Sequence, residues 1–486
     1  MITGFLMSSH LYGQKFDFNQ NCRNAYSEIT ALRLKKGQQL LDAEEQLHPN
    51  NDIVTYLENY IDFIELFSSE SKGRYNLLSQ NGHERIEKLS SSDKNSPYYL
   101  FTQAEVYIQW AVIRLKFGDY VSALLDIRKA NKLLLDNRTK YPDFKPNIKS
   151  LATLQCLFGS IPDNYKWGGS LFGLSGSIEE GSKMLNNLIS YSHTNDFIYK
   201  NETVIIYSFV QFHLNNKPKE AWKLLISEGF PIENNLMSYY VLGYIGTYGG
   251  SSELALKYLL KAPRSSDFVP LSQISYFIAL CKLYALDPLS DKYFQTFLAE
   301  NKSKNYIKAV NQKLAWHSLI FKSEVTYQSF VTKILESGEV AIDADKQAQK
   351  EAIQKEVPDI FLLKARLLCD GGYYSKALTF MQQRTFNDYV SLKKGLEYEY
   401  RLGRIYDLSG DKTKALVYYK NVIEKGRYSP YYYAANAALN TAYIYEERKN
   451  IVMAKQYYTI CLSMKDHEYV NSISQKAKSG MNRLGE

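Results

Sequence analysis

Residues 396–433, LEYEYRLGRIYDLSGDKTKALVYYKNVIEKGRYSPYYY, decide the fold. Leu402, Gly403 and Tyr406 recur at helical spacing and share one face of a first helix. Ser409-Gly410-Asp411 interrupts that pattern. Gly410 suits the left-handed position after a helix end, and Asp411 suits the cap of the next start. A second helix follows, with Ala415, Tyr419 and Val422 on one face. Gly403 and Ala415 lie where the two helices would cross, and their small size permits close backbone approach. Leu402, Tyr406 and Tyr419 fill the space around them.

The pattern returns on both sides. Phe361, Ala365, Leu368, Gly372, Tyr374 and Ala377 form the preceding unit; Ala438, Ala442, Tyr445, Ala454, Tyr458 and Cys461 form the next. The aligned alanines 377, 415 and 454 are spaced by 38 and 39 residues. Upstream, Leu242, Gly243, Gly250, Ala255, Leu259 and Ala262 match, with Ala221 a further 34 residues before Ala255. Tyr107, Ala111, Gly118, Tyr120, Ala123 and Ala130 make another copy. Leu-Gly-x-x-Tyr, then Gly, then Ala five residues on, resembles the tetratricopeptide repeat of about 34 residues. The expected fold is all-α, an α-solenoid of tetratricopeptide-like helix hairpins.

Composition agrees with a folded scaffold. Hydrophobic residues make up 45% of 486, and 41 Tyr stand against 4 Trp. An amphipathic ring at a repeat position buries its body and keeps its hydroxyl wet. The net charge of +8 comes from 59 basic and 51 acidic residues scattered along the chain, without a polybasic run. Nucleic acid is therefore not an expected partner. No apolar run reaches the length of a membrane span. The five cysteines are far apart and form no CxxC pair, so core thiols are expected.

Residues 1–13 are apolar and uncharged and read as the remnant of a secretory signal peptide, which would place the protein in the periplasm or outside; a frayed cytoplasmic N-terminus is the alternative. Cys22 lies too far beyond the apolar part to be a lipoprotein cysteine. Phe16 to Leu47 reads as one long helix, His48-Pro49-Asn50-Asn51 as its stop, and Ile53, Leu57, Tyr60, Ile64 and Phe67 as the seam of the next. This opening resembles a Bacteroidetes type of tetratricopeptide protein, which implies an envelope-bearing bacterium. Residues 14–340 form the N-terminal tetratricopeptide-like region, with a Gly-rich interruption at 159–176. Within it, residues 152–185 faintly resemble the tetratricopeptide-39 and inclusion-body-clearance family, from which no activity is carried over. Residues 341–357 read as a polar linker or solvated helix, and 358–486 as C-terminal repeats with a capping helix.

Nothing in the chain looks catalytic. The seven histidines are isolated, so neither a metal site nor a cofactor is expected. Gly168, Gly169, Gly173 and Gly176 lack phosphate-loop spacing. A binding function has more support. In the family resembled, residues 2, 5, 9 and 12 of each first helix line the inner groove. Carried over, these positions include Arg366, Tyr400, Arg404, Asp407, Tyr443 and Glu446. Two arginines beside Tyr suit a peptide carboxylate or acidic side chain; the Lys and Asn set of the carboxylate-clamp subfamily is absent. Trp167 and Phe172 belong either to a hairpin packed by glycines or to a flap that docks a partner. The expected function is a protein- or peptide-binding scaffold in a bacterial envelope. The rivals are a glycan- or small-ligand-binding protein of outer-membrane uptake and a hydrolase with a dispersed site.

Overall fold

Helices follow the apolar periodicity throughout residues 15–161, 175–227 and 229–485, which the computed structural model describes. Among them there is no strand, only a single bridge from Lys15 to Asn51. The fold is an α-solenoid of tetratricopeptide-like hairpins, and by internal contacts it divides into two units. The described part of the first takes residues 15–161, 175–242 and 261–271; that of the second takes 243–260 and 272–485.

The first unit holds α1 (Gln20–Thr30), α2 (Leu34–Leu47), α3 (Ile53–Ser69), α4 (Lys72–Leu78), α5 (Asn81–Ser90), α6 (Tyr98–Lys116), α7 (Tyr120–Lys140) and α8 (Lys145–Gly159). It continues with α9 (Ile178–Tyr191), α10 (Lys200–Phe209), a π-helical turn and α11 (Pro218–Ser227). Phe16 to Leu47 is not one helix. The chain breaks at Leu32, a buried residue with a left-handed backbone (φ 68°). The amides of Leu236 and Val269 donate to the carbonyls of Ala31 and Leu32 at 3.2 and 2.9 Å, which occupies acceptors that a continuous helix would need. At the Gly-rich interruption, α8 and α9 meet almost backbone to backbone. A Cβ on Gly181 would stand 2.7 Å from the carbonyl oxygen of Ala152, and one on Gly159 2.6 Å from the amide nitrogen of Ile178. The tip between them, including Trp167 and Phe172, and the signal-like residues 1–13 lie outside the described residues.

The helix α12 (Leu236–Tyr248) gives its second half to the second unit. There follow α13 (Ser252–Leu259), α14 (Gln273–Tyr284), α15 (Ser290–Glu300), α16 (Ile307–Phe321), α17 (Glu324–Glu336) and α18 (Asp343–Gln354). The C-terminal hairpins are α19 (Ile360–Asp370) with α20 (Tyr374–Met381), α21 (Leu392–Ser409) with α22 (Lys412–Gly426), and α23 (Tyr433–Glu447) with α24 (Ile451–Ser463). The helix α25 (Val470–Arg483) closes the end, burying Ile473 and Ala477.

The best repeat is built as its residues dictate. Gly410 takes φ 99°, and the Asp411 carboxylate accepts from the Lys414 amide at 3.0 Å. A Cβ on Gly403 would stand 2.6 Å from the Tyr419 ring, so the crossing of α21 and α22 needs the missing methyl. Leu396, Ala415, Tyr419 and Val422 are fully buried there. Each fully buried large apolar side chain contributes about 1.5–3 kcal/mol. The polar stretch 343–356 forms, over residues 343–354, a packed helix rather than a solvated one. Its Asp345, Ala348 and Ala352 are buried, and the Asp345 carboxylate accepts from the amides of Tyr306 and Ala309 at 2.7 and 2.9 Å. It thereby caps α16 from outside that helix.

Candidate functional site on the second unit

The first unit has a buried polar network centred on Lys149. Lys149, on α8, donates to Glu105 of α6 at 2.8 Å and to Glu202 of α10 at 2.7 Å. Tyr26 donates to Glu202 at 2.7 Å, Tyr60 to Glu202 at 3.1 Å, and Ser150 to Glu105. Burial pulls the Lys149 ammonium down, but the two carboxylates outweigh it and hold it above its ordinary range. A charge so matched has nothing left to offer a ligand.

The second unit differs. Its α16, α18, α19, α21 and α23 bring cations and rings to one face. Trp316, buried on α16, carries the Lys313 ammonium 3.7 Å from its ring centroid and the Arg366 guanidinium 4.9 Å from it. Arg401, the neighbour that presses on Arg366, pairs with Glu397 at 2.8 Å and lies 5.8 Å over the Tyr400 ring. Tyr400 packs against Tyr432 at 5.9 Å, and Tyr432 meets Tyr469 edge-on at 5.3 Å. Tyr469 accepts from Gln347 of α18 at 2.8 Å. Gln347 in turn donates to Glu351 at 2.7 Å, and Gln312 beside Lys313 donates to the same carboxylate.

The expected site residues divide accordingly. Arg366, Tyr400 and Arg404 share this face with Asp407. Tyr400 is nearly closed off, at 4% exposure, and its hydroxyl accepts from Asn436 at 2.7 Å. Arg366 keeps 34% of its side chain exposed and reaches Asp370 at 3.6 Å. Asp407 is engaged by Lys412 at 2.8 Å and by the Tyr419 hydroxyl at 3.0 Å. Among the described residues, half-buried Arg404 has neither a hydrogen bond nor a carboxylate in ion-pair range; burial disfavours its charge, but Tyr419, Tyr400, Cys369 and Asp407 together outweigh that. Tyr443 and Glu446 belong to the end of the unit instead. Glu446 accepts two bonds from Arg483 of α25, each 3.0 Å, and one from Tyr458, while Tyr443 packs on the Tyr458 ring at 5.9 Å.

Comparison with known proteins adds little. The chain matches no protein-family model and no curated protein. Among solved structures, a human IFIT1 dimer with PPP-AAAA is 14% identical, covering 85% of this chain and 95% of that one, with a TM-score of 0.36. Yeast Tom70 is 12% identical over 96% of both chains, at a TM-score of 0.27. A Naa15/Naa10 complex bound to HypK-THB is 13% identical, covering 95% of this chain and 66% of that one, at 0.24. Similarity this low carries no argument about function, and the fold rests on the hairpins themselves.

Lys313, Trp316, Arg401, Tyr432 and Tyr469 escape a reading of the sequence. Lys313 and Trp316 share α16, but Arg401 comes from α21 and Tyr432 and Tyr469 from two separate turns, so no local motif joins the set. Burial, with Arg366 beside it, pushes the Lys313 ammonium down to about 7 against the opposing pull of Glu351 and Asp370. The arrangement suits binding of anionic groups: fixed guanidinium forks, aromatic walls and one adjustable amine. Among the described residues, no His, Cys, Asp and Glu cluster is arranged for a metal ion, and no helix is long and apolar enough to cross a membrane.

Proposed function

We propose that the chain is a non-catalytic scaffold whose second unit holds an acidic peptide segment of a protein partner across Arg366 and Arg404. The observation that carries this is Arg404, a half-buried guanidinium with, among the described residues, no carboxylate in ion-pair range on a face where Asp407 and Glu397 are already engaged. A guanidinium that keeps its charge and has no hydrogen-bonded carboxylate leaves its donor fork open to an incoming anion. An exported location belongs to the same proposal and rests on residues 1–13 alone.

Selection of a displayed random-peptide library on the purified chain tests it. Acidic peptides should be enriched, and Arg366→Ala with Arg404→Ala should weaken them by tenfold or more, since charge-assisted hydrogen bonds contribute about 1.5–3 kcal/mol each. Enrichment without acidic residues, or binding indifferent to both changes, would move the site elsewhere.

A further inference from the structure

The stack on Trp316 poses a physical problem. Two cationic side chains share one indole ring, at 3.7 Å for Lys313 and 4.9 Å for Arg366. Each benefits from the ring, yet each repels the other in a half-buried setting. The nearby acids are already engaged. Glu351 of α18 is occupied by Gln312 and Gln347, and Asp370 of α19 stands 3.6 Å from Arg366. Among the described residues, Lys313 itself donates only to the neutral Gln312 amide oxygen, at 2.6 Å. On its own helix, the His317 ring is turned to the Pro288 carbonyl at 2.9 Å. The groups that set the charge of Lys313 are therefore Arg366, Glu351 and Asp370.

We propose that Lys313 and Arg366, stacked on Trp316, form a two-cation seat for one carboxylate of the acidic peptide, and that Lys313 takes up a proton as the seat fills. This rests on the scaffold reading above and adds a regulation to it. The step balances simply. A neutral Lys313 amine, one proton from solvent and the incoming carboxylate become an ammonium–carboxylate pair, with Arg366 on the other oxygen. No covalent bond changes.

The empty seat holds Lys313 near its titration midpoint at neutral pH, in keeping with an ammonium pushed to about 7 by burial and Arg366. A bound carboxylate favours the charged form and raises that midpoint. By linkage, affinity is greatest below the midpoint of the empty seat. It then falls by up to about tenfold per pH unit until pH passes the midpoint of the filled one. A glutamate-rich ligand is fully ionised over this span, so the dependence belongs to the protein.

Isothermal titration of a capped hexaglutamate peptide between pH 7 and 9, in two buffers of different ionisation heat, tests the seat on the full chain. Expected are a fall in affinity of at least tenfold across that range and net proton uptake on binding. Lys313→Arg, which stays charged, should make the affinity flat with pH whatever its level; circular dichroism of that variant checks the fold. Unmodified protein that binds without proton uptake, or a Lys313→Arg variant that keeps the slope, overturns the proposal. So does failure of hexaglutamate to bind while display-selected peptides still depend on Arg404, which leaves the scaffold reading standing. If no acidic peptide binds at all, both fall together.

Discussion

Gly403 shows how a single absent methyl sets a helix crossing. With Tyr419 where a Cβ would be, Gly403→Leu should overpack the crossing and lower stability by about 1–3 kcal/mol or more, read as a drop in melting temperature. That residue was legible in the sequence because its partners, Tyr406, Gly410, Ala415 and Tyr419, all lie within one repeat. Lys149 was not, since Glu105 and Glu202 reach it from separate helices. Lys149→Met should cost about 3–5 kcal/mol at neutral pH by leaving the two carboxylates unmatched, and adding Glu105→Gln should recover part of the loss. The sign follows from its raised ammonium: the contribution is fully present below the ordinary lysine range and is lost as pH rises through the raised one. The gap between variant and unmodified protein in denaturant titrations should therefore narrow only at strongly alkaline pH.

At the scale of elements, hairpins were legible and breaks were not. The helices of the repeats at 361–381 and 434–461 fall where their small and large residues recur. Leu32 reads as an ordinary helix interior, and only its tie to Val269, far along the chain, makes it a corner. The helix α18 reads as solvated because its buried stripe is two alanines and an aspartate. That aspartate predicts a measurable link between elements. Asp345→Ala should cost about 0.5–2 kcal/mol in thermal melting and should speed hydrogen exchange at the amides of Tyr306 and Ala309, which would lose their acceptor. Unchanged exchange at both would show that α16 is capped by something else.

Across the whole molecule, the repeat decides the fold class and leaves the candidate site open. Periodicity specifies which side chains face the core, whereas the site depends on which outward side chains several helices bring together. Arg366 and Arg404 could be placed by repeat position; Lys313 on Trp316 could not. The tyrosines carry a consequence of their own. Burial, reinforced by neighbouring carboxylates, holds the hydroxyls of Tyr26, Tyr56, Tyr60 and Tyr199 well above the ordinary phenol range, and burial does the same for Tyr419. Such rings resist ionisation for as long as the hairpins stay closed. The near-ultraviolet tyrosinate band should then rise in two stages on alkaline titration: a gradual one near pH ~10 from exposed rings, and an abrupt one that coincides with loss of helical dichroism. The chain would thus carry its own optical gauge of unfolding, distributed along its length and needing no added label.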